Sequence, residues 1–104
     1  VASFGEAIAE KRKELGYSQR ELAAMIIKED GSAISGQYLN DLEKNRRNPP
    51  TDYLMAEFAK ALKLPLEYLF LCAGTMPPDV RSVDMDPEEA VELFKAFRRG
   101  NPKG

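Results

Sequence analysis

The sequence predicts an all-α fold, and three observations predict it. Apolar residues recur at three- and four-residue intervals along most of the chain. Helix-start signatures of the form Ser-x-x-Glu precede the first two of these runs, at Ser3/Glu6 and Ser18/Glu21. Glycines, prolines and polar clusters then divide the chain into short helical lengths, and no strand pattern of alternating apolar and polar residues stands out. The expected layout is five helices over residues 1–74 and a C-terminal extension, residues 75–104, carrying a sixth.

Each element has its own justification. Ser3 and Glu6 open the first helix, Phe4, Ala7, Ile8 and Leu15 fall near one face, and Gly16 ends it, because glycine takes a left-handed stop without strain. Ser18 and Glu21 open the second, whose apolar face is read as Leu22, Ala23, Met25 and Ile26, running out near Lys28 into the turn Glu29-Asp30-Gly31-Ser32. Ser35 caps the third, with Leu39 and Leu42 inward, Gln37, Asn40, Asp41 and Lys44 outward, and Asn45 as its stop. Pro49 and Pro50 forbid helix in the loop that follows. Thr51 caps the fourth, built on Leu54, Met55, Phe58, Ala59 and Leu62. Pro65 suits the first turn of the fifth, with Leu66, Tyr68, Leu69, Phe70 and Leu71 as its body and Gly74 as its close. Asp86, Pro87 and Glu89 start a last helix over about residues 87–99, with Val91, Phe94 and Phe97 apolar.

Composition narrows the function. The 104 residues are one domain's worth, 43% hydrophobic and 31% charged, with a formal net charge of −2. There is no histidine and one cysteine, so Ser–His and Cys–His catalysis and an intrachain disulfide are excluded, and a zinc site is improbable. Cys72 reads as a buried small hydrophobe. Asp84, Asp86, Glu88 and Glu89 are explained by helix capping rather than acid–base chemistry. No nucleophile–base pair or Gly-rich phosphate loop appears, so the chain is not expected to be an enzyme or to need a cofactor, and no small-molecule ligand is evident. With neither a signal-peptide pattern nor a membrane-length apolar run, the expected location is cytoplasmic.

The informative stretch is Ser18-Gln19-Arg20-Glu21-Leu22-Ala23, then Ile34 through Lys44, then Arg47 and Pro49. Over roughly residues 4–72 it resembles the lambda-repressor and Cro-like family of helix-turn-helix regulators, of the xenobiotic response element type. The resemblance implies a five-helix lambda-repressor-like DNA-binding domain, with the third helix, about residues 36–44, as the recognition helix in the major groove of double-stranded DNA. It implies Gln19 as a phosphate contact; Ser35, Gly36, Gln37 and Tyr38 at bases or backbone; and Asn40 and Asp41 on the next exposed turn. Lys44, Asn45, Arg46 and Arg47 fall where the family grips phosphates. Arg12 and Glu43 match a family ion pair joining helices one and three.

Three features depart from the pattern. The segment between helices two and three, Ile27 to about Ile34, is about six residues longer than the short turn such helix pairs use, so it either lengthens helix two or widens the turn. Asp41 is acidic where glutamine is common, and would accept from a cytosine amino group. Gly36 offers no side chain.

Residues 1–71 hold ten Lys and Arg against eleven Asp and Glu, so one copy of the domain is expected to grip DNA only modestly. A homodimer would raise overall affinity. The last helix is too short to be stable alone and must pack either on its own domain or on the partner subunit, the partner being the preferred reading. The expected dimer interface is Leu66, Phe70 and Leu71 with Val91, Phe94 and Phe97. The competing reading is an antitoxin-like or adaptor module in which DNA binding is secondary or lost.

Overall fold

The computed structural model describes residues 2–75, 86–89, 91, 92 and 95. Five helices follow in order: α1 Phe4–Glu14, α2 Gln19–Met25, α3 Gly36–Glu43, α4 Asp52–Leu62 and α5 Leu66–Ala73. Residues 87–89, 91, 92 and 95 are also helical, and the Glu89 amide donates to the Asp86 carboxylate at 2.8 Å. The described residues form no sheet, and the fold is all-α.

Side chains start the first four helices. Ser3, Ser18, Ser35 and Thr51 each accept a hydrogen bond from the amide three residues on. Such a cap stabilises a helix by about 1 kcal/mol relative to alanine. At α1 and α2 the bond is reciprocated, with Glu6 accepting from the Ser3 amide at 3.1 Å and Glu21 from the Ser18 amide at 2.9 Å. Those backbone donors hold both carboxyls below the usual glutamate range.

Helix α3 ends in a Schellman motif: the Asn45 amide donates to the Leu42 carbonyl and the Arg46 amide to the Asp41 carbonyl, with Asn45 at φ 57°. Asparagine tolerates that left-handed conformation better than most residues.

The long segment before α3 is a hairpin, not an extension of α2. Helix α2 stops at Met25, and Ile26 is extended. Ile27 and Ala33 form an antiparallel bridge, with Lys28 donating to Ser32 at 2.7 Å and Gly31 to Lys28 at 2.9 Å. The tip is a turn followed by a left-handed residue, Gly31 at φ 88°. The Asp30 carboxylate accepts from both the amide and the hydroxyl of Ser32, which lowers its pKa. At the base, the Ile34 amide donates to the Ile26 carbonyl at 3.0 Å, and both isoleucine side chains are buried. The excursion therefore returns to its starting point, and α2 and α3 still pack on each other. The expected run of α2 to Lys28 is corrected: the long segment widens the turn, and its single bridge adds no strand to the all-α fold. Met25, read as part of the inward face, is 40% exposed because the backbone turns away at Ile26.

Helix α1 packs on α3, α4 and α5 around Ile8, Leu22, Leu39, Phe58, Leu62 and Leu69. Phe4 meets Phe58 edge to face at 5.9 Å. Gly5 is buried where α1 crosses the end of α3. A Cβ there would stand 2.6 Å from the Glu43 carbonyl and the Asn45 amide oxygen, and closer still to the Leu42 carbonyl. Only glycine permits that approach.

Candidate nucleic-acid interface

Helices α2 and α3 border an open cleft of about 690 Å³, lined by Gln19, Arg20, Gly36, Gln37 and Asn40 over a floor of small residues that includes Ala23 and Ala33. Leu39 and Leu42 are fully inward, which leaves Ser35, Gly36, Gln37 and Lys44 exposed and Tyr38, Asn40 and Asp41 partly exposed. The recognition-helix residues named from sequence thus share one outer surface, with the cations of the following loop beside them.

Behind this surface is a buried polar frame. Arg12 forks onto Glu43, Nε to Oε2 at 2.7 Å and Nη2 to Oε1 at 3.0 Å, and its Nη1 donates to the Tyr17 carbonyl at 2.9 Å. The two side chains are 10% and 5% exposed. Gln19 Nε2 donates to Glu43 Oε1 at 2.8 Å and to Asn40 Oδ1 at 3.1 Å. The frame fixes α1, α2 and α3 to one another with each ionic partner hydrogen-bonded, which a buried pair requires. It also turns the donor end of Gln19 toward α3. Asn40 keeps its own amide donors.

On the exposed side, Asp41 Oδ1 accepts from Gln37 Nε2 at 3.0 Å and from Arg46 Nε and Nη2 at 3.2 and 3.0 Å. Arg47 Nε lies 3.8 Å from Asp41 Oδ2, and its guanidinium stands 5.4 Å from the centre of the Tyr38 ring. Residues read individually as base or phosphate contacts are therefore joined to each other.

Asn45 needs a correction. Its Oδ1 accepts from the Gly5 amide at 3.1 Å and its Nδ2 donates to Ser3 Oγ at 2.9 Å. This side chain ties the end of α3 to the start of α1, a structural role the sequence reading did not give it. Phe70 also needs one: at 1% exposure it belongs to the chain's own core and offers no face to a second copy. Leu66 and Leu71 are half-buried and Val91 is 51% exposed, while Phe94 and Phe97 lie outside the described residues.

Two residues escaped the sequence reading. Gly5 looked like any helical glycine. Arg20 is exposed on the cleft beside Gly36 and Gln37, with no ion-pair partner among the described residues. Its signal was available: with Leu22, Ala23 and Ile26 inward, the helical period sends residue 20 outward. Cys72 is half-buried, and desolvation raises its thiol pKa, which disfavours the reactive thiolate.

The paired helices, the buried ionic frame and the polar outer face define a helix-turn-helix DNA-binding domain. The helix-turn-helix family model of the Cro/C1 type matches residues 8–69, and the chain belongs to that family of DNA-binding transcriptional regulators. Two curated relatives, from the CDC 1551 and H37Rv strains of Mycobacterium tuberculosis, bear the description uncharacterized HTH-type transcriptional regulator. Each is 33% identical over 78 residues, covering 75% of this chain and 51% of the relative. The chain thus spans about half the length of the curated relatives it matches. No solved structure matches it. Among the described residues no helix is long and apolar enough to cross a membrane.

Proposed function

We propose that the chain is a sequence-specific regulator that binds double-stranded DNA as a homodimer, with α3 in the major groove. The observation that carries this reading is the outer face of α3, where Gln37 and Asn40 line a cleft with Arg20 while Arg46 and Arg47 reach Asp41 and Arg47 stands against Tyr38. Gln37 and Asn40 supply amide groups of the kind that read adenine edges. Ser35 and Gly36 bring the helix start close to the sugar-phosphate backbone. The cations neutralise phosphates and position the helix without reading sequence.

Dimerisation assigns residues 1–74 to DNA binding and the extension 75–104 to pairing. Val91, a helical residue of the extension, leaves apolar surface in water. Val91, Phe94 and Phe97, with Leu66 and Leu71, are the proposed contact. Two recognition helices would then fall about 34–36 Å apart, one turn of DNA.

Selection from randomised duplexes, followed by binding across a salt series, tests both parts. Recovery of a palindromic site with a steep salt slope is expected. Arg47→Ala should weaken binding to every sequence, and Gln37→Ala should change which sequence is preferred. Equal, weak binding to all fragments refutes the reading. A chain truncated after Gly74 should sediment as a monomer, and a dimer of that piece refutes the role given to the extension.

A further inference from the structure

On the outer face of α3, Asp41 is covered by side chains of the loop that follows the helix. Three side chains bring four nitrogens to Asp41: Gln37 Nε2 at 3.0 Å, Arg46 Nη2 and Nε at 3.0 and 3.2 Å, and Arg47 Nε at 3.8 Å. Tyr38 holds Arg47 from its ring face at 5.4 Å. The Asp41 side chain is only 17% exposed beneath the two arginines, which are themselves 54% and 59% exposed. Both cations can therefore leave Asp41 by rotating side chains on the surface, with no change in the core.

That geometry gives Asp41 a conflict when DNA arrives. Arg46 and Arg47 are drawn to phosphates, and transfer leaves a carboxylate facing the duplex with its cations removed. A carboxylate so placed is repelled by the backbone unless a base edge donates to it, and the cytosine amino group is the donor that suits it. Gln37, released at the same moment, becomes free to read a neighbouring base.

We propose that Asp41 is a specificity-determining residue that makes the phosphate grip of Arg46 and Arg47 conditional: the arginines transfer fully only at sequences that offer Asp41 a donor. This deepens the DNA-binding reading above and rests on it. Asp41 thus acts mainly by penalising wrong duplexes, a repulsive contribution to selectivity.

The experiment uses the full chain and its Asp41→Asn variant, with Asp41→Ser as a second removal of the same charge. Circular dichroism and urea unfolding check that each is folded. Affinity for a random-sequence duplex and for the site selected by the wild type is measured by fluorescence anisotropy across a salt series. Both variants should bind the random duplex about tenfold more tightly at low salt, with a log–log slope steeper by about 1–2 for the extra phosphates engaged. They should gain little at the selected site, so the specificity ratio falls by about tenfold, the scale of a mismatched base pair. In an Arg46→Ala, Arg47→Ala background the gain on random duplex should vanish. Folded variants whose random-duplex affinity is unchanged or lower overturn the inference alone. A wild type that binds no duplex overturns the DNA-binding reading and this inference with it.

Discussion

Asp41 and Glu43 are two residues apart on one helix, and each holds arginine in a different way. Glu43 and its partner Arg12 are 5% and 10% exposed, and the carboxylate also receives Gln19. Asp41 keeps its two arginines on the surface, more than half exposed. The same chemistry therefore serves as a fixture in one place and as a releasable latch in the other. Burial decides which: removing one partner of a desolvated pair leaves a charge without water or counterion, whereas water and salt readily replace a partner at the surface.

The difference can be broken from the buried side first. Glu43→Ala should cost about 3–5 kcal/mol, because it strands the Arg12 guanidinium. Urea unfolding measures this, and a loss under about 1 kcal/mol would mean that the pair is solvated like an ordinary surface bridge. Gly5→Ala should cost about 1–3 kcal/mol by forcing α1 away from the end of α3. Its effect should appear as a lower midpoint with an unchanged denaturant slope. Asp41→Asn should change stability by less than about 1 kcal/mol, since its partners are screened by solvent. A double-mutant cycle sharpens the contrast: the Asp41–Arg46 coupling should fade by about 1 M salt, where the Debye length is about 3 Å, while the Arg12–Glu43 coupling persists.

The smallest expected effect is on the acid limb of stability. Glu6 and Glu21 have folded-state pKa values lowered chiefly by the Ser3 and Ser18 amides. Their contribution is present above the ordinary glutamate range and is lost as pH falls through the lowered values, because the unfolded chain takes up protons first. A thermal melting series against pH should show a shallower acid decline for Glu6→Gln than for the wild type. An identical decline would mean that the Ser3 box adds nothing to the acid limb.

How legible all this was in the sequence depends on how local each feature is. The helix starts at Ser3, Ser18, Ser35 and Thr51 involve bonds across three residues, so their residue types announce them. The family assignment was readable for a related reason: its marks lie along one continuous stretch. The hairpin was not readable, because its composition shows a turn at Asp30-Gly31 but not that Ile34 returns to bond with Ile26. Asn45 looked like a loop polar residue, and only its reach across 40 residues to Gly5 shows otherwise. Asp41 could be placed on the outer face of α3 from its period, yet the arginines that converge on it are brought there by the Schellman turn.

The hairpin between α2 and α3 has a practical consequence. Its base is sealed at Ile26 and Ile34, so whatever is attached at Asp30-Gly31 rides on the hairpin tip and does not push the two helices apart. Residues 28–33 are all exposed. A dye joined through a Gly31→Cys substitution would strain the left-handed position, whereas Glu29→Cys would leave the turn intact. A fluorophore at residue 29 would then serve as a reporter placed a few residues from α3, and the tip is a natural place to graft a short foreign peptide without rebuilding the domain.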